Sequence, residues 1–191
     1  MSMMKWQTKY WLGAALLLPV APALYLQGQI TRKKVGVLPG AGGDVEGITT
    51  DGPDPAKLLV IGESTVAGLG ARTHDVALAG QFANRLEKRI ERPVHWSVLG
   101  KNGVTARRTI DELVPEMPKG PFDYVLLGIG GNDVLKLSSP AKWRRDMTEL
   151  LGILRENNPS APIFLTNCPM IKMSPAIPQP IRAILWELSK M

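Results

Sequence analysis

The sequence predicts a three-layer α/β/α sandwich with a parallel sheet at its centre, over residues 57–191 of the 191-residue chain. Four short apolar runs alternate with amphipathic segments from Lys57 onward, which is typical of strands joined by crossover helices. The strand candidates are apolar throughout, as expected for parallel strands that are covered on both faces. The composition, 45% hydrophobic and 21% charged residues, excludes disordered and collagen-like classes.

The first 34 residues are organised like an export signal or a membrane anchor. Lys5 and Lys9 precede the apolar run Trp11–Leu26, and Ala21-Pro22-Ala23 is similar to a signal-peptide cleavage site. This run, as a helix, spans about 24 Å against a hydrocarbon core of about 30 Å, so a signal peptide fits better than a full span. A buried core helix is the alternative interpretation. The segment predicts an exported protein, periplasmic or extracellular, or a protein anchored to the membrane.

Residues 35–56 are rich in glycine, proline and aspartate and have no sustained apolar period, so we interpret them as a linker. The domain then begins with the predicted strand Leu58–Ile61, which ends at Gly62. A helix follows, because apolar side chains recur at every fourth position, namely at Leu78, Phe82, Leu86 and Ile90.

The remaining elements continue the alternation. Strands are predicted at Val94–Leu99, Tyr124–Ile129 and Ile163–Thr166. Helices are predicted around Ile110–Val114, from the Ser139 N-cap and Pro140 to Leu154, and over Ile181–Leu188.

Three strand ends carry residues that are suited to acyl chemistry. After the first strand, Gly62-Glu63-Ser64 predicts a tight turn that places the serine in the crevice at the carboxyl ends of the strands. A helix that begins at Ser64 would favour an oxyanion there, because its N-terminus carries a partial positive charge. The second strand is followed by Gly103, which permits close backbone approach. The third is followed by Gly130-Gly131-Asn132-Asp133, whose carboxamide is a donor for a developing oxyanion. Each motif alone also fits a plain turn or a helix cap.

Together and in this order, the three motifs resemble those of the SGNH (GDSL-like) hydrolase family, from about Lys57 to the C-terminus. The resemblance implies that Ser64 is the nucleophile and that its N–H, the Gly103 N–H and the Asn132 side chain form the oxyanion hole. It further implies a flavodoxin-like sandwich and hydrolysis of small esters, such as acyl lipids or acetylated sugars. The reaction would pass through an acyl-serine intermediate and use no metal or organic cofactor.

The sequence departs from this family at two places. Glu63 stands where the family has aspartate, which keeps a carboxylate after the glycine. The family's final Asp-x-x-His block has no counterpart, since the chain's two histidines are His74 and His95. The chain therefore resembles a member that is truncated before its last block, with the C-terminal part missing. His74, beside Asp75, is the candidate substitute base, and His95 lies inside a predicted strand.

Other function classes are less consistent with the sequence. The net charge of +6 comes from basic groups on polar helix faces without interleaved aromatics, so we expect no nucleic-acid partner. The single cysteine, Cys168, excludes an internal disulfide. Nucleotide-binding loops of the G-x-G-x-x-G or G-x-x-x-x-G-K-[ST] type do not occur. A non-catalytic α/β binding module that keeps the crevice stays open beside the esterase, and no oligomeric state is predicted.

Overall fold

The structure is a computed structural model that describes residues 3–36, 38–168 and 171–191. At its centre lies a sheet with the strand order β1-β3-β2-β4-β5. The strands are β1 (Glu46–Ile48), β2 (Ala56–Gly62), β3 (Val94–Gly100), β4 (Tyr124–Gly128) and β5 (Ile163–Leu165). Strands β2, β3, β4 and β5 run parallel to one another, whereas β1 runs antiparallel to β3.

The described α-helices are α1 (Met3–Leu17), α2 (Ala21–Val35), α3 (Leu78–Ile90), α4 (Ala106–Glu112), α5 (Gly131–Leu135), α6 (Pro140–Asn157) and α7 (Ile181–Ser189). Short 3-10 turns lie at Leu18–Val20, Val114–Glu116 and Ile171–Met173. Helix α3 has the predicted bounds. The predicted cap of α6 is also confirmed, because the Ser139 hydroxyl accepts a hydrogen bond from Lys142 N at 3.3 Å.

Helices cover the sheet on both faces, which confirms the predicted sandwich. Along β2, Leu59 and Ile61 point into a core that α4 and α6 close. Leu58 and Val60 point into a second core, which α3 closes on the opposite face. The alternation explains why β2 is apolar at every position: each face of a central strand has its own helix layer. The functional consequence is that the carboxyl ends of β2, β3 and β4 are neighbours at one edge.

Two elements correct the prediction. The segment interpreted as a linker contains β1, so the sheet is mixed rather than wholly parallel. Gly47 lies so close to the indole of Trp96 that a Cβ there would be 2.3 Å from the ring. Three residues are too few for a strand pattern to be visible in a sequence. Helix α5 was not predicted either, because its Gly-Asn-Asp start favours a turn.

The N-terminal segment Met4–Val35 is long and apolar enough to cross a membrane, and none of it is buried. The interpretation as a buried core helix is therefore wrong. Helices α1 and α2 instead lie on the outside of the domain, where Lys9 Nζ is 3.1 Å from a carboxylate oxygen of Glu187 in α7.

Candidate active site

Glycines end the central strands at the edge of the sheet that carries the motifs, and they allow neighbouring backbone segments to approach closely. Gly62 has φ +152°, and a Cβ there would lie 2.0 Å from the carbonyl oxygen of Gly128. The next N–H, that of Glu63, donates to this same oxygen at 2.8 Å. A Cβ at Gly100 would be 2.4 Å from Ala67 N. The turn after β2 thus packs directly onto the ends of both neighbouring strands.

Ser64 lies in this turn and is half-buried. The Glu63 carbonyl accepts from Val66 N and Ala67 N at 2.9 and 3.0 Å, and the Ser64 carbonyl accepts from Leu69 N at 3.0 Å. Residues 64–70 form successive turns, and the next helix begins only at Leu78. The expectation that a helix opens at Ser64 is therefore wrong. Backbone N–H groups of the turn, rather than the dipole of a regular helix, are available beside the serine.

Glu63 connects the serine turn to the third motif. Its carboxylate is buried and accepts hydrogen bonds from Gly131 N at 3.0 Å and Asn132 N at 2.9 Å. A Cβ at Gly131 would be 2.7 Å from the Glu63 carboxylate, so glycine is needed at that position. Burial raises the pKa of Glu63, and the two N–H donors oppose this rise. The glutamate that replaces the family's aspartate thus ties the serine turn to the backbone of Gly131 and Asn132.

The third motif, Gly130-Gly131-Asn132-Asp133, in turn forms hydrogen bonds with the backbone that follows Gly103. The Asn132 side-chain amide donates to the carbonyl oxygen of Val104 at 2.9 Å. The buried carboxylate of Asp133 accepts from Ala106 N at 3.0 Å, at the start of α4. Burial raises the pKa of Asp133, against the effect of that N–H. Asn132 therefore lies directly beside the Gly103–Val104 backbone.

Two cations hold the backbone at Gly103, which has φ +79°. Its carbonyl oxygen accepts from Lys136 Nζ at 2.8 Å and from Arg108 at 3.2 Å. Arg108 is paired with Glu112, and this pairing, with a second contact from Lys101, lowers the pKa of Glu112 to about 2. The motifs indicated neither cation, because both lie outside them.

The structure thus places the predicted site residues Ser64, Gly103 and Asn132 after three adjacent strands, β2, β3 and β4. A chain of hydrogen bonds from Glu63 through Asn132 to Val104 connects their motifs.

Cys168 follows β5 and is half-buried, and burial raises the pKa of its thiol. No group of three or more metal-ligating side chains occurs within the described ranges. A surface cavity of about 560 Å³ lies along α6, between Ala141 and Glu149, and contains none of the motif residues.

His74 precedes α3 and is buried. Its Nδ1 has no hydrogen-bond partner among the residues that the structure describes. Burial lowers the pKa of the imidazole, and the nearby Asp75 opposes this effect. His95 lies in β3, as predicted. The neutral imidazole of His74 is therefore favoured, but no bond orients its Nδ1.

Comparison with known proteins identifies relatives of this chain. A model of the GDSL-like lipase/acylhydrolase family matches residues 60–191. A GDSL-like esterase of Mycobacterium tuberculosis is 25% identical over 150 residues, which are 78% of this chain and 47% of that protein. The chain thus spans about half the length of this relative.

Solved structures share the fold. The SGNH-hydrolase family esterase AlinE4 superposes with a TM-score of 0.51 and 20% identity, covering 73% of this chain and 75% of the esterase. An extracellular lipase from Streptomyces rimosus has a TM-score of 0.50 and 14% identity, with 71% of each chain covered.

Proposed function

The chain belongs to the GDSL-like lipase/acylhydrolase family, and from this premise we propose that it acts on small esters with Ser64 as the nucleophile. The observation that carries the proposal is the hydrogen-bonded connection from Glu63 through Asn132 to Val104. It holds together the three backbone segments on which the reaction depends. Acyl lipids and acetylated sugars are the proposed substrate classes.

In the proposed reaction, Ser64 Oγ attacks the ester carbonyl carbon, and the carbonyl oxygen becomes an oxyanion. The N–H groups of Ser64 and Gly103 and the second N–H of the Asn132 amide donate to that oxyanion. Collapse breaks the bond to the alcohol, which leaves with a proton, and water then hydrolyses the acyl-serine. The proposal needs no metal or organic cofactor.

The proposed reaction is limited by the need for a base that accepts the hydroxyl proton of Ser64. A serine hydroxyl is a weak nucleophile unless a base accepts its proton during the attack. Loss of the histidine in serine hydrolases costs on the order of 10⁶ in kcat, while the oxyanion hole and binding retain about 10³–10⁴ over water. Within the part of the chain that the structure describes, no hydrogen bond at Nδ1 orients His74. We therefore propose that these 191 residues hold an oxyanion hole but turn over esters slowly.

An external base tests the proposal. Hydrolysis of a short-chain aryl ester is measured for the wild type, Ser64→Ala and the neighbouring hydroxyl control Thr65→Ala, with and without imidazole. Without imidazole, we expect Ser64→Ala to behave like the wild type. With imidazole, the wild type and Thr65→Ala should exceed Ser64→Ala, because the added base accepts the Ser64 proton.

The other outcomes separate the alternatives. Rapid turnover without imidazole that disappears in Ser64→Ala would reveal a base within the chain, and His74→Ala would be measured next. Equal rates for all three proteins with imidazole would favour the non-catalytic binding module, as would the absence of labelling by a fluorophosphonate probe when imidazole is present.

We also propose that the N-terminal segment brings the chain to a membrane, either as an export signal or as an anchor. The support is the unburied apolar helix over Met4–Val35 together with Lys5 and Lys9 at its start. Fractionation of the expressed protein tests this. Recovery of the full-length chain only from the soluble cytoplasm would contradict it.

A further inference from the structure

Helices α1 and α2 turn polar side chains toward the domain. These side chains are half-buried, and each forms a hydrogen bond with the backbone of a segment near the C-terminal half of the fold. The bonds join Gln7 Oε1 to Ala141 N (3.0 Å), the Tyr10 hydroxyl to Leu137 O (2.7 Å) and Gln27 Nε2 to Gln179 O (2.8 Å). The inner face of α1 and α2, the side with these three residues, is therefore held to the domain by directional hydrogen bonds.

The two helices follow α7 along its length in the opposite direction. Lys9 contacts Glu187 near the end of α7, whereas Gly28 lies against Ile181 at its start, where an added Cβ would be 3.9 Å from the isoleucine Cδ1. A helix that crossed a bilayer would remove Gln7, Tyr10 and Gln27 from these partners. Unpaired polar groups are costly in hydrocarbon, so docking and spanning exclude each other.

The outer face of α1 and α2 is apolar and exposed. Its exposed side chains include two aromatic residues and several aliphatic residues, with Leu16 being 80% exposed. The members of this outer face are Trp11, Leu12, Leu16, Leu18, Tyr25, Leu26 and Ile30. Soluble monomers rarely expose so many large apolar side chains within one segment, and such exposure normally marks an interaction site.

Charge identifies the partner. Residues 3–35 contain no aspartate or glutamate, and exposed basic side chains stand at both ends of the outer face, at Lys5 and at Arg32–Lys34. Basic groups that flank an apolar face with Trp and Tyr match the headgroups and acyl boundary of an anionic bilayer.

We propose that α1 and α2 remain docked on the domain and bind the surface of an anionic phospholipid bilayer with their outer face. Tyr10 holds the segment after Asn132 through Leu137, whose side chain is also exposed. Binding therefore brings the segment after Asn132 close to the bilayer, on the domain side of the docked helices. That this delivers membrane acyl esters to Ser64 rests on the proposed hydrolase function, whereas the binding itself does not.

Vesicle co-sedimentation of the full chain tests the proposal, with phosphatidylcholine vesicles alone or with phosphatidylglycerol added. We expect binding to be about tenfold or more tighter with the anionic lipid, since each basic residue near the surface contributes. Leu16→Asp should weaken it by at least about tenfold, because a leucine that enters the lipid is replaced by a charge of the wrong sign. Val76→Asp is the matched control on an exposed valine of the domain and should bind like the wild type.

Further measurements distinguish the other arrangements. Alkaline carbonate should extract the docked protein, whereas resistance to extraction together with normal binding by Leu16→Asp would show a span and overturn the proposal. A chain cleaved after Ala23 in the membrane fraction would also overturn it. So would a lipid-free dimer that Leu16→Asp dissociates without any change in vesicle binding. Ser64→Ala should bind vesicles normally, so a failed esterase assay and failed binding remain separate results.

Discussion

The Glu63 carboxylate accepts a hydrogen bond from the backbone N–H of Asn132 at 2.9 Å, although the two residues are 69 positions apart in the chain. The second carboxylate oxygen accepts from Gly131 N at 3.0 Å. Since Ser64 follows Glu63 directly, this pair sets the position of the candidate nucleophile relative to the candidate oxyanion donor.

Removal of the Glu63 carboxylate should destabilise the fold. Glu63→Ala leaves two N–H groups without acceptors in a partly buried environment, which costs up to about 1–3 kcal/mol for each group. Urea unfolding measures the change, with Glu116→Ala as the control on an exposed glutamate. Equal free energies of unfolding for the two variants would show that the bonds to Gly131 and Asn132 contribute nothing net.

Asn132→Ala should slow the Ser64-dependent reaction while the protein stays folded. Loss of one oxyanion donor typically costs about 10²–10³ in rate. The measured quantity is the imidazole-supported ester hydrolysis described above. Asn157→Ala is the control, because Asn157 also donates to a backbone carbonyl, that of Ile153, but lies at the end of α6. If both variants react at the wild-type rate, Asn132 is not an oxyanion donor.

Gly62→Ala should be among the most damaging small substitutions in the sheet. Its Cβ would meet the Gly128 carbonyl oxygen at 2.0 Å, and φ +152° is unfavourable for alanine. We expect a loss of about 3 kcal/mol or more in the free energy of unfolding. Gly152→Ala, on an open position of α6, should instead add up to about 1 kcal/mol. Thermal unfolding of both variants compares the two effects.

Acid should destabilise the domain partly through His74. Burial lowers its folded-state pKa below the ordinary value of 6.5, so the unfolded chain binds this proton first as the pH falls. The contribution is fully present above about pH 6.5 and is lost as the pH falls through the folded-state pKa. His74→Gln should therefore reduce the loss of stability on acidification, with His95→Gln as the control. An unchanged pH dependence in His74→Gln would contradict this.

The sequence by itself determined the layered fold and the approximate place of the site. Continuous apolar runs such as Leu58–Ile61 are readable because a strand covered on both faces needs an apolar side chain at every position. The amphipathic period from Leu78 to Ile90 is readable for the related reason that one helix face packs on the sheet. Because parallel strands end at one edge, the order of the motifs already implied that Ser64, Gly103 and Asn132 meet there.

The tertiary structure alone decided what holds those residues. The bonds of Glu63 to Asn132, of Asn132 to Val104 and of Lys136 to Gly103 join distant segments, and no local periodicity encodes such contacts. Strand β1 was missed for a similar reason, since its three residues are stabilised by pairing with β3 rather than by their own pattern. The tertiary structure also determined which side of α1 and α2 faces the protein. An apolar helix can pack against lipid or protein on any face, and here hydrogen bonds to the backbone of Leu137 and Gln179 fix the side that faces the domain.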